Sequence, residues 1–176
     1  ELGALAGLSH EFARRDVKVI GLSVDPVEDH TRWLDDIKDV TGHLPAYPII
    51  ADRDLAVAKL FNMLPAKTGG SSLGRTAADN ATVRTVFVID PDKRIRLQFA
   101  YPMSTGRNFA ELLRVIDSMQ LAGAYKVATP ADWDPGDDVI ILPSVSDEDA
   151  KKLELEGERW ADTMLLTLIH TLHSNK

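Results

Sequence analysis

The order of apolar runs predicts an α/β sandwich with a central mixed sheet, followed by a small α+β module. Three observations carry this. Val17–Val24 (VKVIGLSV) is a β-branched run of the kind that forms buried parallel strands, and Asp25-Pro26-Val27-Glu28 opens a helix directly after it. Val83–Ile89 and Ile95–Tyr101 flank the turn cluster Asp90-Pro91-Asp92-Lys93, a strand-turn-strand signature. After Ala122 the texture shifts to short runs broken by Ala128-Thr129-Pro130 and Asp134-Pro135-Gly136-Asp137. The expected division is therefore residues 1–122 and 123–176.

Taken in order, Leu2, Leu5, Leu8 and Phe12 fall at helical spacing, with Arg14 and Arg15 suited to a helix C-terminus. No cap precedes Glu1, so the chain is expected to continue upstream, with its start inside a helix. The strand Val17–Val24 follows. Asp25 is the expected cap of the next helix, Pro26 its first residue and Glu28 the completion of a capping box. Trp33, Leu34, Ile37 and Val40 would form its apolar face. Pro48–Ala51 reads as a short strand. Asp54 is the expected cap of a helix that buries Leu55, Ala58 and Leu60. Residues 65–81 are rich in Gly, Ser, Thr and Ala, an unusually long loop. After the hairpin, Asn108-Phe109-Ala110-Glu111 reads as a capping box. Phe109, Leu112, Leu113, Ile116 and Met119 give the long helix its stripe, and Gly123 ends it. Val139–Leu142 is a short strand, Ser146 caps a helix with Asp149, and Trp160, Met164, Leu165, Leu168, Ile169 and Leu172 fall at helical spacing.

Composition narrows the function. The chain has 176 residues and a formal net charge of -7, with 20 Lys+Arg against 27 Asp+Glu. Binders of nucleic acid or of anionic membranes need a basic face, so the balance argues against both. There is no cysteine, hence no disulfide, thiolate metal site or thiol nucleophile within these residues. No apolar run reaches the length of a membrane span, and no signal-peptide pattern opens the chain. The cytoplasm is the expected compartment.

Among candidate sites, Gly69–Thr76 (GGSSLGRT) fits a phosphate-loop pattern except that Arg75 replaces the lysine. The pattern needs a strand before it and a helix after it, and neither flank reads that way; a flexible loop is the simpler reading. His170 and His173, one helical turn apart, could share a metal, but no third ligand is evident. No metal and no cofactor is expected. No Ser-His-Asp triad can be argued from Ser23, Ser104 and His30. Arg84 stands apart. An arginine opening an apolar strand needs an anion. That anion could be a structural carboxylate such as Glu1, or the charge at a reaction site. Arg107, just before the long helix, could merely anchor its loop.

Several stretches together resemble the one-cysteine peroxiredoxins, the branch of the peroxiredoxin family with an extra C-terminal domain. They are ELG at Glu1, VKVIGLSVD at Val17, VEDH at Val27, YPIIAD at Tyr47, VRTVFVIDPDKRIRL at Val83, YPMSTGRNF at Tyr101, LLRVIDSMQL at Leu112 and VATPADWDPGDDVIILP at Val127. The match runs from Glu1 to about Lys152. The resemblance implies a thioredoxin-like fold with a C-terminal dimerisation domain, and an enzyme that reduces hydrogen peroxide and organic hydroperoxides. The peroxidatic cysteine is oxidised to sulfenic acid and restored by an external thiol. Family members carry Pro-Val-Cys-Thr-Thr directly before Glu-Leu-Gly, so the nucleophile would lie just upstream of Glu1, and the 176 residues alone would be inactive. Arg84 matches the arginine that contacts the sulfur and the peroxide oxygens, and Glu1 and Arg107 match the pair that orients it. Asp92 matches an aspartate assigned in some animal members to a phospholipase site whose other residues would also lie upstream. The resemblance further implies a homodimer, with Ile95–Tyr101 pairing with its copy and the C-terminal module packing on the partner. From about residue 153 the chain departs from the family pattern, and nothing is carried into 154–176. The alternative is a catalytically silent relative, a dimerising scaffold or holdase.

Overall fold

The computed structural model describes residues 1–64, 68–69, 71, 84–102, 104–146, 148–152 and 168–169. The chain divides into two compact units, residues 1–109 and 110–176.

In the first unit the expected opening helix is two short ones, α1 (Leu2–Gly7) and α2 (Ser9–Ala13), broken at Leu8. Glu11 locks the second by bonding Arg14 and Arg15 one turn on, and the hydrogen bonds from those two arginines hold its carboxyl below the ordinary range. Of Val17–Val24 only β1 (Gly21–Ser23) is a paired strand, parallel to β2 (Ile49–Ala51), whose three residues limit the ladder.

Helix α3 (Val27–Thr41) starts one residue later than the sequence implied, with Pro26 as N-cap. The Asp25 carboxylate does not cap it; it accepts a hydrogen bond from the Ser23 hydroxyl at 2.8 Å. The buried stripe also differs. His30 leads it, its ring tilted on Trp33 at 5.2 Å, while Val40 is 85% exposed. From His30 the stripe runs through Trp33, Leu34 and Ile37, all half-buried, and ends before Val40. Thr41 occupies the space that a side chain at Gly3 would need, so α1 and α3 approach closely there.

Helix α4 (Ala56–Leu60) corrects a second expected cap. Leu55 adopts a left-handed φ of 61°. That turn brings the buried Asp52 carboxylate, not the exposed Asp54, onto the amides of Val57 and Ala58 at 3.1 and 2.7 Å. Leu55 and Ala58 are fully buried with Val24, Met63 and Leu64, whereas Leu60 is exposed. Phe61 meets Phe87 edge-on at 5.0 Å, which ties this core to the hairpin.

The hairpin is β3 (Arg84–Ile89) and β4 (Ile95–Tyr101), antiparallel from Arg84↔Tyr101 to Ile89↔Ile95 with an irregularity after Val88. Its turn forms as Asp90 accepts the Arg94 amide on its carboxylate at 2.9 Å, with Lys93 in the left-handed region.

In the second unit, α5 (Phe109–Ala124, its first residue closing the first unit) buries Leu112, Leu113 and Ile116 and ends one residue past Gly123. Arg114 forks onto Glu111 and donates to the Trp133 carbonyl at 2.7 Å. Trp133 packs with Val127, Val139 and Leu121. Strand β5 (Val127–Ala128) pairs antiparallel with β6 (Val139–Ile141), which pairs parallel with β7 (Leu168–Ile169). Leu168 and Ile169 are thus extended, not helical as their spacing suggested: β6 offers them backbone partners that helical periodicity does not register. Ser146 caps the helix at 148–152 by the expected exchange with Asp149, at 2.9 and 3.2 Å.

Candidate active site

Arg84 begins β3, and its register partner Tyr101 ends β4. The chain then turns back, Thr105 N–H bonding Pro102 O at 2.9 Å, and delivers Arg107 just before α5. Glu1 immediately precedes α1. The three residues singled out from the sequence therefore converge from three separate places in the first unit.

The Glu1 carboxylate is the hub. Its Oε1 accepts the backbone amide of Arg107 at 2.7 Å and Arg107 Nε at 3.3 Å. Its Oε2 accepts Arg84 Nη1 at 2.9 Å and Arg107 Nη2 at 3.2 Å. Four donors fill the four lone-pair sites of a carboxylate, so Glu1 is fixed in orientation. Partial burial raises the Glu1 pKa, but the side-chain and backbone hydrogen bonds from Arg107 and the charges of Arg107 and Arg84 outweigh it and hold the carboxyl below its ordinary range. The trio is net positive by one charge, and each side chain keeps about a quarter of its surface exposed. Among the described residues Arg84 is bonded through Nη1 alone. Its remaining N–H donors give the site the capacity to stabilise an anion in contact with solvent.

A residue that the sequence did not single out joins this group. The Tyr47 hydroxyl donates to the Leu2 carbonyl at 3.0 Å, one residue from Glu1. Burial pushes the Tyr47 phenol up, against the nearby charge of Arg107. No pattern in the sequence signals a contact between residues 45 apart.

The other candidates lie elsewhere. Asp92 sits in the exposed hairpin turn, at the far end of β3 from Arg84, a strand length of roughly 17 Å. The phosphate-loop stretch, apart from Gly69 and Ser71, lies outside the described residues, as do His170 and His173. Among the described residues no group of three His, Cys, Asp or Glu is placed to hold a metal.

Comparison with known proteins follows the same outline. The AhpC/TSA family profile matches residues 1–98, and the profile for the C-terminal domain of 1-Cys peroxiredoxin matches residues 118–157. A 1-Cys peroxiredoxin of Dictyostelium discoideum is 52% identical over 158 residues, which are 89% of this chain and 61% of that protein. Among solved structures, a yeast mitochondrial 1-Cys peroxiredoxin superposes with a TM-score of 0.77 at 47% identity, covering 86% of this chain and 70% of that one. A serine-for-cysteine mutant of peroxiredoxin 6 from Arenicola marina gives 0.75 at 44% identity, covering 87% of this chain and 68% of that one. The chain thus spans about two thirds of the length of these relatives.

Proposed function

Because this chain belongs to the AhpC/TSA family, in its one-cysteine peroxiredoxin branch with a thioredoxin-like fold, we propose that it is the bulk of a thiol-dependent peroxidase acting on hydrogen peroxide and organic hydroperoxides. The observation that carries the proposal is the Glu1 carboxylate saturated by Arg84 and Arg107, with Arg84 bonded through Nη1 alone among the described residues.

The nucleophile is a cysteine thiolate placed just before Glu1 in the parent protein, since these 176 residues contain no cysteine. Its sulfur attacks the terminal peroxide oxygen. An S–O bond forms, the O–O bond breaks, and the electron pair leaves with the distal oxygen, which takes up a proton as water or alcohol. Arg84 favours the thiolate over the thiol and stabilises charge developing on the leaving oxygen. Glu1 and Arg107 hold Arg84 in place, so little reorganisation is needed in the transition state. The resulting sulfenic acid condenses with one external thiol, releasing water, and a second thiol reduces the mixed disulfide. The yeast relative, described as resolved through glutathione and thioredoxin systems, makes either thiol class a candidate reductant. We place the protein in the cytoplasm as a homodimer, with the C-terminal domain beginning near residue 123.

The test is peroxide consumption by the parent protein and by the 176 residues alone. The parent should turn over peroxide and the 176 residues should not; turnover by the cysteine-free chain would sink the proposal. Arg84→Ala in the parent should lower kcat/KM by about 10²–10³-fold, the usual effect of removing one preorganised donor. The absence of any thiol favours the second reading, a silent scaffold, for the 176 residues alone.

A further inference from the structure

Tyr47 lies two residues before β2, on a segment the sheet holds firmly. The Pro48 carbonyl accepts the Gly21 amide at 2.9 Å, and Ile49 pairs with Gly21. A Cβ at Gly21 would stand 3.6 Å from Tyr47 Cε2, so the ring lies beside the glycine backbone. From that anchored position the phenol reaches across to the Leu2 carbonyl at 3.0 Å. Leu2 is the first residue of α1, and the Glu1 carbonyl accepts the Leu5 amide at 2.9 Å within the same turn.

We propose that Tyr47 is a positioning residue of the site: it pins the first turn of α1 to the β1–β2 pair and thereby sets where the Glu1 carboxylate meets Arg84 and Arg107. This rests on the reading of that trio as the orienting machinery of a peroxidase. Geometry supports it. Glu1 has four charge-assisted or backbone donors to align, and such bonds lose strength quickly with misalignment. The elements that supply them, β3 and the loop after β4, are distant in sequence from α1. Something must fix α1 independently of the arginines, or the carboxylate would follow them instead of orienting them. The Gly3–Thr41 approach restrains the buried face of the helix, and Tyr47 restrains the backbone beside Glu1 itself. Burial keeps the phenol protonated well above neutral pH, so the donor persists across the working range.

Tyr47→Phe removes one hydroxyl and keeps the ring, so the fold should persist. In the chain itself, carboxyl-labelled NMR with Glu1→Gln for assignment should show the Glu1 carboxyl titrating higher in Tyr47→Phe, towards the ordinary range. The Leu5 amide should exchange about fivefold faster, the ratio expected for one net hydrogen bond. In the thiol-bearing parent the same variant should lower kcat/KM by up to about fivefold and move the acid limb of its pH profile upward. A merely structural tyrosine would lower the Tm and leave the Glu1 titration where it was; that result overturns the proposal. If Glu1→Gln leaves peroxide turnover by the parent unchanged while Tyr47→Phe still shifts the Glu1 titration, the hold of Tyr47 on Glu1 stands and the reading of the trio as orienting machinery falls.

Discussion

Glu1 gathers two arginines onto two carboxylate oxygens. Its value in the folded chain is below the ordinary 4.5 because Arg107 and Arg84 favour the charged form despite partial burial. A depressed carboxylate stabilises the folded state above its unfolded pKa, and that contribution is lost as pH falls through the folded value. Glu1→Gln should therefore destabilise the chain at pH 7 by about 1 kcal/mol or less, since the pairs are solvent-screened. The difference between variant and parent should shrink steadily below pH 4.5. Urea unfolding at pH 7 and at pH 3 checks this; an equal difference at both would show that the ion pairs do not hold Glu1. Arg84 was legible in the sequence because an arginine inside an apolar run demands an anion. The Arg107 backbone amide and the Tyr47 hydroxyl were not, because each depends on which segments the fold brings together.

Caps and stripes at the level of elements show where sequence patterns succeed and where they slip. Ser146 and Asp149 form their capping exchange as read, because both partners sit within one local turn. Asp54 fails as a cap because a left-handed Leu55 redirects the chain, and the neighbouring Asp52 takes the role with two amide bonds at 3% exposure. Nothing local distinguishes the two aspartates, since the choice is made by the burial of Leu55 in the core. Asp52→Ala should destabilise the first unit by about 1–2 kcal/mol, as loss of an N-cap does, and Asp54→Ala by less than about 0.5 kcal/mol, as for ordinary surface changes. Chemical unfolding of the two variants decides it: equal effects would return the cap to the sequence's first choice. The stripe of α3 keeps Trp33, Leu34 and Ile37 half-buried as read but stops before Val40, which is exposed.

For the whole molecule, the hairpin raises the question of assembly. Two-stranded ribbons are marginal by themselves, and an open strand edge invites pairing with another chain. Among the described residues β4 pairs only with β3 and its other edge has no strand partner. Ile89 and Ile95, opposite each other near the turn, are 52% and 51% exposed. On one side Phe87 anchors the ribbon to the core through Phe61; on the other, a second copy of β4 would extend it to four strands. Leu97→Pro removes an amide from the middle of β4 and should abolish the dimer. Because proline could also disturb β3 pairing, Ile95→Lys provides a gentler variant: a lysine at an already exposed position leaves the monomer intact but opposes edge pairing. In sedimentation velocity the unsubstituted chain should run as a dimer, and both variants as monomers at the same concentration. A parent and an Ile95→Lys variant with the same dimeric profile would move the interface away from β4, to a surface that strand patterning does not reveal.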